Sequence, residues 1–208
     1  MIDLYAADTP NGKKISIMLE EINLPYKVIP VNLSEGEQFK EDFLKMSPFS
    51  KIPVIKDSDN NKSVFGSGAI LIYLADKTQK FYNKENKINI DQWLMAQMGL
   101  VGPLIGAYHS FYRFNKGKSK YGEERYFKIT KDLYQRLNDR LSVSNYLAGE
   151  EYTIADIATW PWIARHQWHD IGLKNFKQLT KWYLNIAERE AVKKGYEFMK
   201  QGDKIPLP

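Results

Sequence analysis

Lys51-Ile52-Pro53-Val54-Ile55, followed about one strand and a turn later by Phe65-Gly66-Ser67-Gly68-Ala69-Ile70, is the stretch that decides the fold. Val54 and Ile55 continue an apolar β-run, so Pro53 stands at a strand's first residue, where its missing N–H is tolerated. After the polar run Ser47 to Lys51, this position suits a cis Ile52–Pro53 bond in a tight turn. Such a turn holds the N–H and C=O of Ile52 outward, where an extended peptide can pair with them. The second half passes from strand to helix at Ser67, and the N–H groups of a helix N-terminus suit a carboxylate. Peptide backbone at one segment and carboxylate at the next describe a short acidic peptide as ligand.

Upstream, Ile2 to Ala6 reads as a strand, and Thr9-Pro10-Asn11-Gly12 as a helix opening with Thr9 as N-cap and Pro10 in the first turn. Ile15, Met18, Leu19 and Ile22 recur at helical spacing, and Asn23-Leu24-Pro25 ends that helix. Tyr26 to Val31 reads as a second strand. Gly36 to Met46 reads as a short helix with Phe39, Phe43 and Leu44 inward. With strands at Val54–Lys56 and Ser63–Phe65 and a helix from Ser67, residues 1–77 run β-α-β-α-β-β-α. A polar linker, 78–88, leads into an all-helical half, 89–208.

In that half Asp91 to Phe114 reads as one long helix carrying Gly99, Gly102-Pro103 and Gly106, with a kink expected at the proline. Its glycines leave a face without side chains, which suits either packing inside the domain or a homodimer interface. Thr153-Ile154-Ala155-Asp156 has capping-box spacing before a further helix, and the tail from Lys204 is expected to be loose.

The chain has no cysteine, which removes disulfides, thiolate metal sites and any protein thiol nucleophile. Any sulfur chemistry must use a sulfur that the ligand brings. The net charge of +5 comes from acidic and basic residues that are interleaved, so neither a nucleic-acid face nor a membrane partner is expected. With no signal segment and no long apolar run, a soluble cytoplasmic protein is expected. His166 and His169 stand three apart without a third ligand, so no metal is expected.

On these motifs the chain resembles the cytosolic glutathione transferases over nearly its whole length. The cis-proline loop at Lys51-Ile52-Pro53-Val54 and the following Ser67-Gly68-Ala69-Ile70 resemble the thioredoxin-like domain of that family. The helical half resembles its all-α domain. Ile2-Asp3-Leu4-Tyr5, Thr9-Pro10-Asn11-Gly12-Lys13-Lys14, Gly36-Glu37-Gln38-Phe39 and Ala155-Asp156-Ile157-Ala158-Thr159-Trp160-Pro161-Trp162 look like the Nu-class branch of disulfide-bond oxidoreductases.

The resemblance implies glutathione or its disulfide as co-substrate, with a small disulfide or electrophile as second substrate. It implies that Ile52 beside Pro53 pairs with the cysteinyl unit and that Ser67 takes the γ-glutamyl carboxylate. Lys51 and Gln38 would meet the glycyl end, and Thr9 and Asn11 would stabilise the thiolate. Tyr108, His109, Phe111 and Arg113 would line a second-substrate pocket, although they also fit a helix end packed inside the protein. Thr9 has a simpler reading as a cap alone, and Tyr5 belongs to the strand. One place departs from the family: Gly66 stands where an acidic or amide side chain usually holds the γ-glutamyl amino group. A non-catalytic binding or regulatory protein is the alternative that this departure motivates.

Overall fold

Ile2, Leu4 and Ala6 point to one face of β1 (Ile2–Ala6) and are fully buried. In the computed structural model, which describes residues 1–208, β1 lies inside a four-stranded sheet of order β2-β1-β3-β4. The others are β2 (Tyr26–Pro30), parallel to β1, then β3 (Val54–Asp57) and β4 (Lys62–Phe65), joined antiparallel. Helices α1 (Pro10–Ile22), α2 (Glu41–Met46) and α3 (Ser67–Thr78) complete the thioredoxin-like pattern.

Gly36–Met46 is not one helix. A short 3-10 turn at Glu37–Phe39 precedes α2, and Phe39 is 64% exposed where it was expected inward. Phe43 alone of that trio is buried, against Val31 and Val54, with Tyr5, Met46 and Ile52 packed around them.

The first unit comprises Met1–Tyr82 with Glu188–Ile205, and the second Asn83–Ala187 with Pro206–Pro208. Residues 188–205, expected in the helical half, therefore return to the first unit. The reason is a close contact between helices far apart in the chain. In α9 (Glu190–Tyr196) a Cβ on Gly195 would stand 2.6 Å from the backbone N and Cα of Ile17, so only glycine permits this approach to α1. Arg189 adds a bidentate pair to Glu21, at 2.6 and 2.8 Å. Lys13, 1% exposed, reaches Asp8 and Asp203 at 3.1 and 2.9 Å.

In the second unit the long helix extends from Lys87 to Phe114 with two π-helical stretches. It comprises α4 (Lys87–Ala96), a π segment Gln97–Val101, α5 (Gly102–Tyr108) and a π segment His109–Phe114. The Gly102 N–H bonds to Gln97 O, five residues back, so the ladder has shifted register just before Pro103, whose N–H is missing. The three glycines do not form one bare face. Gly102 and Gly106 lie 3.5 and 3.4 Å from the Trp162 ring, measured from an added Cβ, and only Gly99 is open.

Helix α7 (Ile154–Ile163), buried at every residue, packs against α4 and α8 (Lys177–Ala187), while α6 (Lys120–Arg140) packs against α5 and α8. Asp156 supplies the expected capping box and does more. Its carboxylate accepts from Thr153 N and Oγ1, from Leu147 N at 3.0 Å and from Trp182 Nε1 at 2.9 Å. Burial pushes its carboxyl up to about 6, against those four hydrogen bonds, which favour the charged form. The tail is tied down as well: the Tyr183 hydroxyl donates to Pro206 O at 2.7 Å. No helix is long and apolar enough to cross a membrane.

Candidate functional site

Strand register decides which loops meet. Ala6 pairs with Pro30, and Tyr5 pairs with both Ile29 and Val54, while Val54 pairs with Phe65. The ends of β1, β2 and β4 and the start of β3 therefore share one end of the sheet. Thr9 and Asn11, Ile52-Pro53 and Gly66-Ser67 follow or precede those strand ends, so the register brings these candidates to one end of the sheet, and Gln38 lies in the 3-10 turn of the segment that leaves β2.

At α1, Thr9 is the N-cap: its Oγ1 accepts from Gly12 N at 3.1 Å and donates weakly to Ala7 O at 3.4 Å. Pro10 has no N–H, so the Asn11 amide is the first at that helix mouth. Asn11 is half-buried. Ile52–Pro53 is cis, and Ile52 stands outside both ladders of β3, so its N–H and C=O take no part in the sheet. Buried Ser47 holds the preceding turn by donating from Oγ to Lys51 O at 2.8 Å and accepting from Lys51 N at 3.2 Å. The Lys51 side chain is exposed. Gln38 donates through Nε2 to Leu33 O at 3.4 Å, while its buried Oε1 has no partner. An acceptor of that kind suits a ligand N–H.

Gly66 caps α3 at φ 82°, ψ 115°, a conformation that side-chain-bearing residues rarely adopt. Ser67 is 7% exposed, and its Oγ accepts from Lys14 Nζ at 3.3 Å. Lys14, fully buried, is the residue that sequence reading missed. Its signal was present: it lies four before Met18 on the apolar stripe of α1, where a charge needs a reason.

The second-substrate candidates lie in the helical unit. Tyr108 is fully buried, donates to His169 O at 3.0 Å and stacks on Tyr112. With Tyr112, Glu123, Phe127 and Asp170 it borders a recess of about 420 Å³. His109, 6% exposed, meets His169 Nε2 to Nε2 at 2.7 Å, while the other ring nitrogen of His169 meets the Tyr134 hydroxyl at 2.6 Å. Phe111 stacks on Tyr126. Arg113 lies over the Trp168 ring at 4.8 Å and borders a second recess, of about 260 Å³. No group of three or more His, Asp or Glu side chains is placed to hold a metal ion.

A thioredoxin-like sheet that brings two helix N-termini and an unladdered backbone to one end, in a chain with a second all-helical unit, defines the fold class. Residues 2–76 match the glutathione S-transferase N-terminal domain and residues 102–190 the glutathione S-transferase C-terminal domain. The chain belongs to the glutathione S-transferase family. It is 44% identical to the disulfide-bond oxidoreductase YfcG of Escherichia coli over 198 residues, 92% of each chain. A glutathione transferase from Burkholderia graminis, solved with two glutathione molecules bound per subunit, superposes with TM-score 0.90 at 35% identity, covering 97% of this chain and 89% of that one. One from Pseudomonas putida, solved with one glutathione disulfide per subunit, gives TM-score 0.87 at 35% identity, covering 95% and 91%.

Two expectations follow from this geometry. Nothing lies within 4 Å of a Cβ built on Gly66, so a substitution there meets strain in the backbone and no clash. Gly66→Ala and Gly66→Glu should each lose about 1–3 kcal/mol in urea unfolding. Equal stability to the parent would show that the loop relaxes freely.

The second concerns pH. Burial, and then Arg165 and Arg113, push His109 from 6.5 down to about 4. The unfolded chain then binds more protons between those values, so stability is present above about 6.5 and is lost as pH falls toward 4. The urea midpoint should be lower at pH 5 than at pH 7, with a shallower loss in His109→Gln. An equal loss in both proteins would assign the acid sensitivity elsewhere.

Proposed function

We propose that the protein is a glutathione-dependent disulfide-bond oxidoreductase. The observation that carries this reading is the convergence of the Thr9-capped helix, the Ile52 backbone and the Gly66-Ser67 helix start at one sheet edge, in a chain without cysteine. The similarity to a disulfide-bond oxidoreductase at 44% identity supports it. The extended cysteinyl unit of glutathione pairs with Ile52, its γ-glutamyl carboxylate meets Ser67, and Gln38 and Lys51 meet the glycyl end. Thr9 and Asn11 hydrogen-bond the sulfur. Neither ionises usefully, so they stabilise a thiolate and do not remove its proton.

The bound thiolate attacks one sulfur of a disulfide. A new S–S bond forms, the old one breaks, and the leaving thiolate takes a proton from water. A second glutathione thiolate then attacks the glutathione sulfur of the mixed disulfide, forming glutathione disulfide and releasing the substrate's other half as a thiolate that takes a proton from water. Conjugation of a small electrophile uses the same thiolate, and Tyr108, His109, Phe111 and Arg113 remain the candidates to meet that second substrate. Such thiol-dependent chemistry suits the reducing cytoplasm, where we place the protein.

Asn11→Ala leaves the Thr9 cap in place and should slow glutathione-dependent reduction of a small mixed disulfide about tenfold, the scale of one hydrogen bond to a charged group. Thr9→Ala should do the same and also lose about 1 kcal/mol of cap stability, while Thr9→Ser retains both. Unchanged rates in both alanine variants would remove these two residues from the chemistry. Strong conjugation of haloaromatic substrates with no disulfide reduction would replace the oxidoreductase reading with a conjugating one. Gly66 motivates the other reading, a binding or regulatory protein, which is supported if calorimetry detects glutathione binding while no thiol-dependent turnover occurs.

We also propose a homodimer. Ile88, Met95 and Leu100 are 66%, 51% and 52% exposed, and Ile88, Met95 and open Gly99 recur at helical spacing along one side of the long helix. Light scattering at micromolar concentration should give a dimer, and Met95→Asp should shift it toward monomer. A monomeric parent protein would end this proposal.

A further inference from the structure

Thr9 and Asn11 stand, in the chain, between the two members of one ion pair. Asp8 immediately precedes the Thr9 cap, Lys13 lies one turn into α1, and Lys13 Nζ meets the Asp8 carboxylate at 3.1 Å. The Lys13 N–H also donates to Thr9 O at 2.9 Å, so backbone and side chain of one residue close the same loop. The lysine is 1% exposed. From the other side the C-terminal segment holds its ammonium, which donates to Tyr196 O and to Asp203 at 2.9 Å and lies 3.6 Å from the centre of the Tyr196 ring. Gly12 shows how closely these segments fit: a Cβ there would stand 2.5 Å from Ala7 O and 3.1 Å from the Phe198 ring. The ionisable groups packed on the ammonium are thus Asp8 from the loop, Asp203 from the tail and Tyr196 from α9, while Lys14 turns to Ser67.

Resting on the glutathione reading above, we propose that Lys13 is a positioning residue for the bound sulfur: it clamps the Asp8 loop and the tail about the Thr9 cap, and it offsets the Asp8 charge that would repel a thiolate. Being closed off from solvent, it does this without touching the ligand. A buried ammonium is also screened by salt much less than a surface one. Asp8 acts in two opposed ways. As an anchor for Lys13 it steadies the cap; as a negative charge beside the helix mouth it opposes a second negative charge there. This opposition separates a positioning role from a merely structural ion pair. Breaking the pair from either side loosens the loop, whereas the local charge becomes more negative when Lys13 is lost and less negative when Asp8 is lost.

Ultraviolet titration of the thiolate of bound glutathione, in the full chain, reads that charge. Lys13→Met should raise the pH at which the bound thiol ionises by about half a unit to one unit, and Asp8→Asn should lower it by a similar amount. The double variant, in which the two changes of charge cancel, should return close to the parent value. Shifts of the same sign in the two single variants, or no shift in either, mark a structural pair and overturn the inference.

Asp8 has an exposed side chain, so Asp8→Asn decides alone if Lys13→Met does not fold. A fall in the ionisation pH then supports the inference, and a rise or no change overturns it. No binding of glutathione by the parent protein overturns the glutathione reading and this inference together. Binding with shifts of the wrong sign overturns this inference alone.

Discussion

Val54 pairs with Tyr5 on one side and Phe65 on the other, and this register is the constraint on which the first unit depends. A slip of one residue would turn buried Val54 and Ile55 to the opposite faces of the sheet. It would also move the loop before β3 away from the end of β4, separating Ile52 from Ser67. The core and the candidate site are thus specified by the same pairing. Ser47 reinforces it from outside the sheet, because a buried hydroxyl that binds both the N–H and the C=O of Lys51 fixes the loop's entry into Pro53.

The helical unit has its own fixed point in Asp156. A buried carboxylate with four donors is expensive to form and more expensive to leave half-satisfied. Its donors come from the start of α7, from Leu147 in the preceding turn and from Trp182 on α8. The charge therefore specifies how three segments meet, a requirement that apolar packing alone would enforce less sharply. His169 plays a comparable part, using both ring nitrogens and its carbonyl to join α6 to the end of the long helix.

Periodic and punctuated features were legible in the sequence. The capping residues Thr9 and Thr153, the turn at Asn23, the cis-proline loop and the strand-to-helix switch at Ser67 each have local causes, and each stands where local chemistry puts it. What was not legible depends on long-range contacts. The return of α9 to α1 rests on Gly195 facing Ile17, residues far apart in the chain, and the pairing of His109 with His169 is of the same kind. Exposure of Phe39 reflects a 3-10 turn that breaks the period on which its inward reading rested. Lys14 was passed over because a lysine among helical residues is normally on the solvated face. Only its place on the apolar stripe set it apart.

Gly66 shows how backbone conformation limits which residue can stand beside a candidate site. At φ 82°, any residue with a side chain carries backbone strain on the order of 1–3 kcal/mol. A charge-assisted hydrogen bond from that side chain to a ligand amino group returns roughly 1.5–3 kcal/mol, and only while ligand is bound. The two terms nearly cancel. Glycine relieves the strain in every state of the protein and gives up a contact made in one of them. The N–H groups of α3, Ser67 and Lys14 are untouched by the exchange, because none of them depends on a Cβ at position 66. With glycine at position 66 the chain keeps the backbone N–H groups at the start of α3 and carries no such strain there in any state.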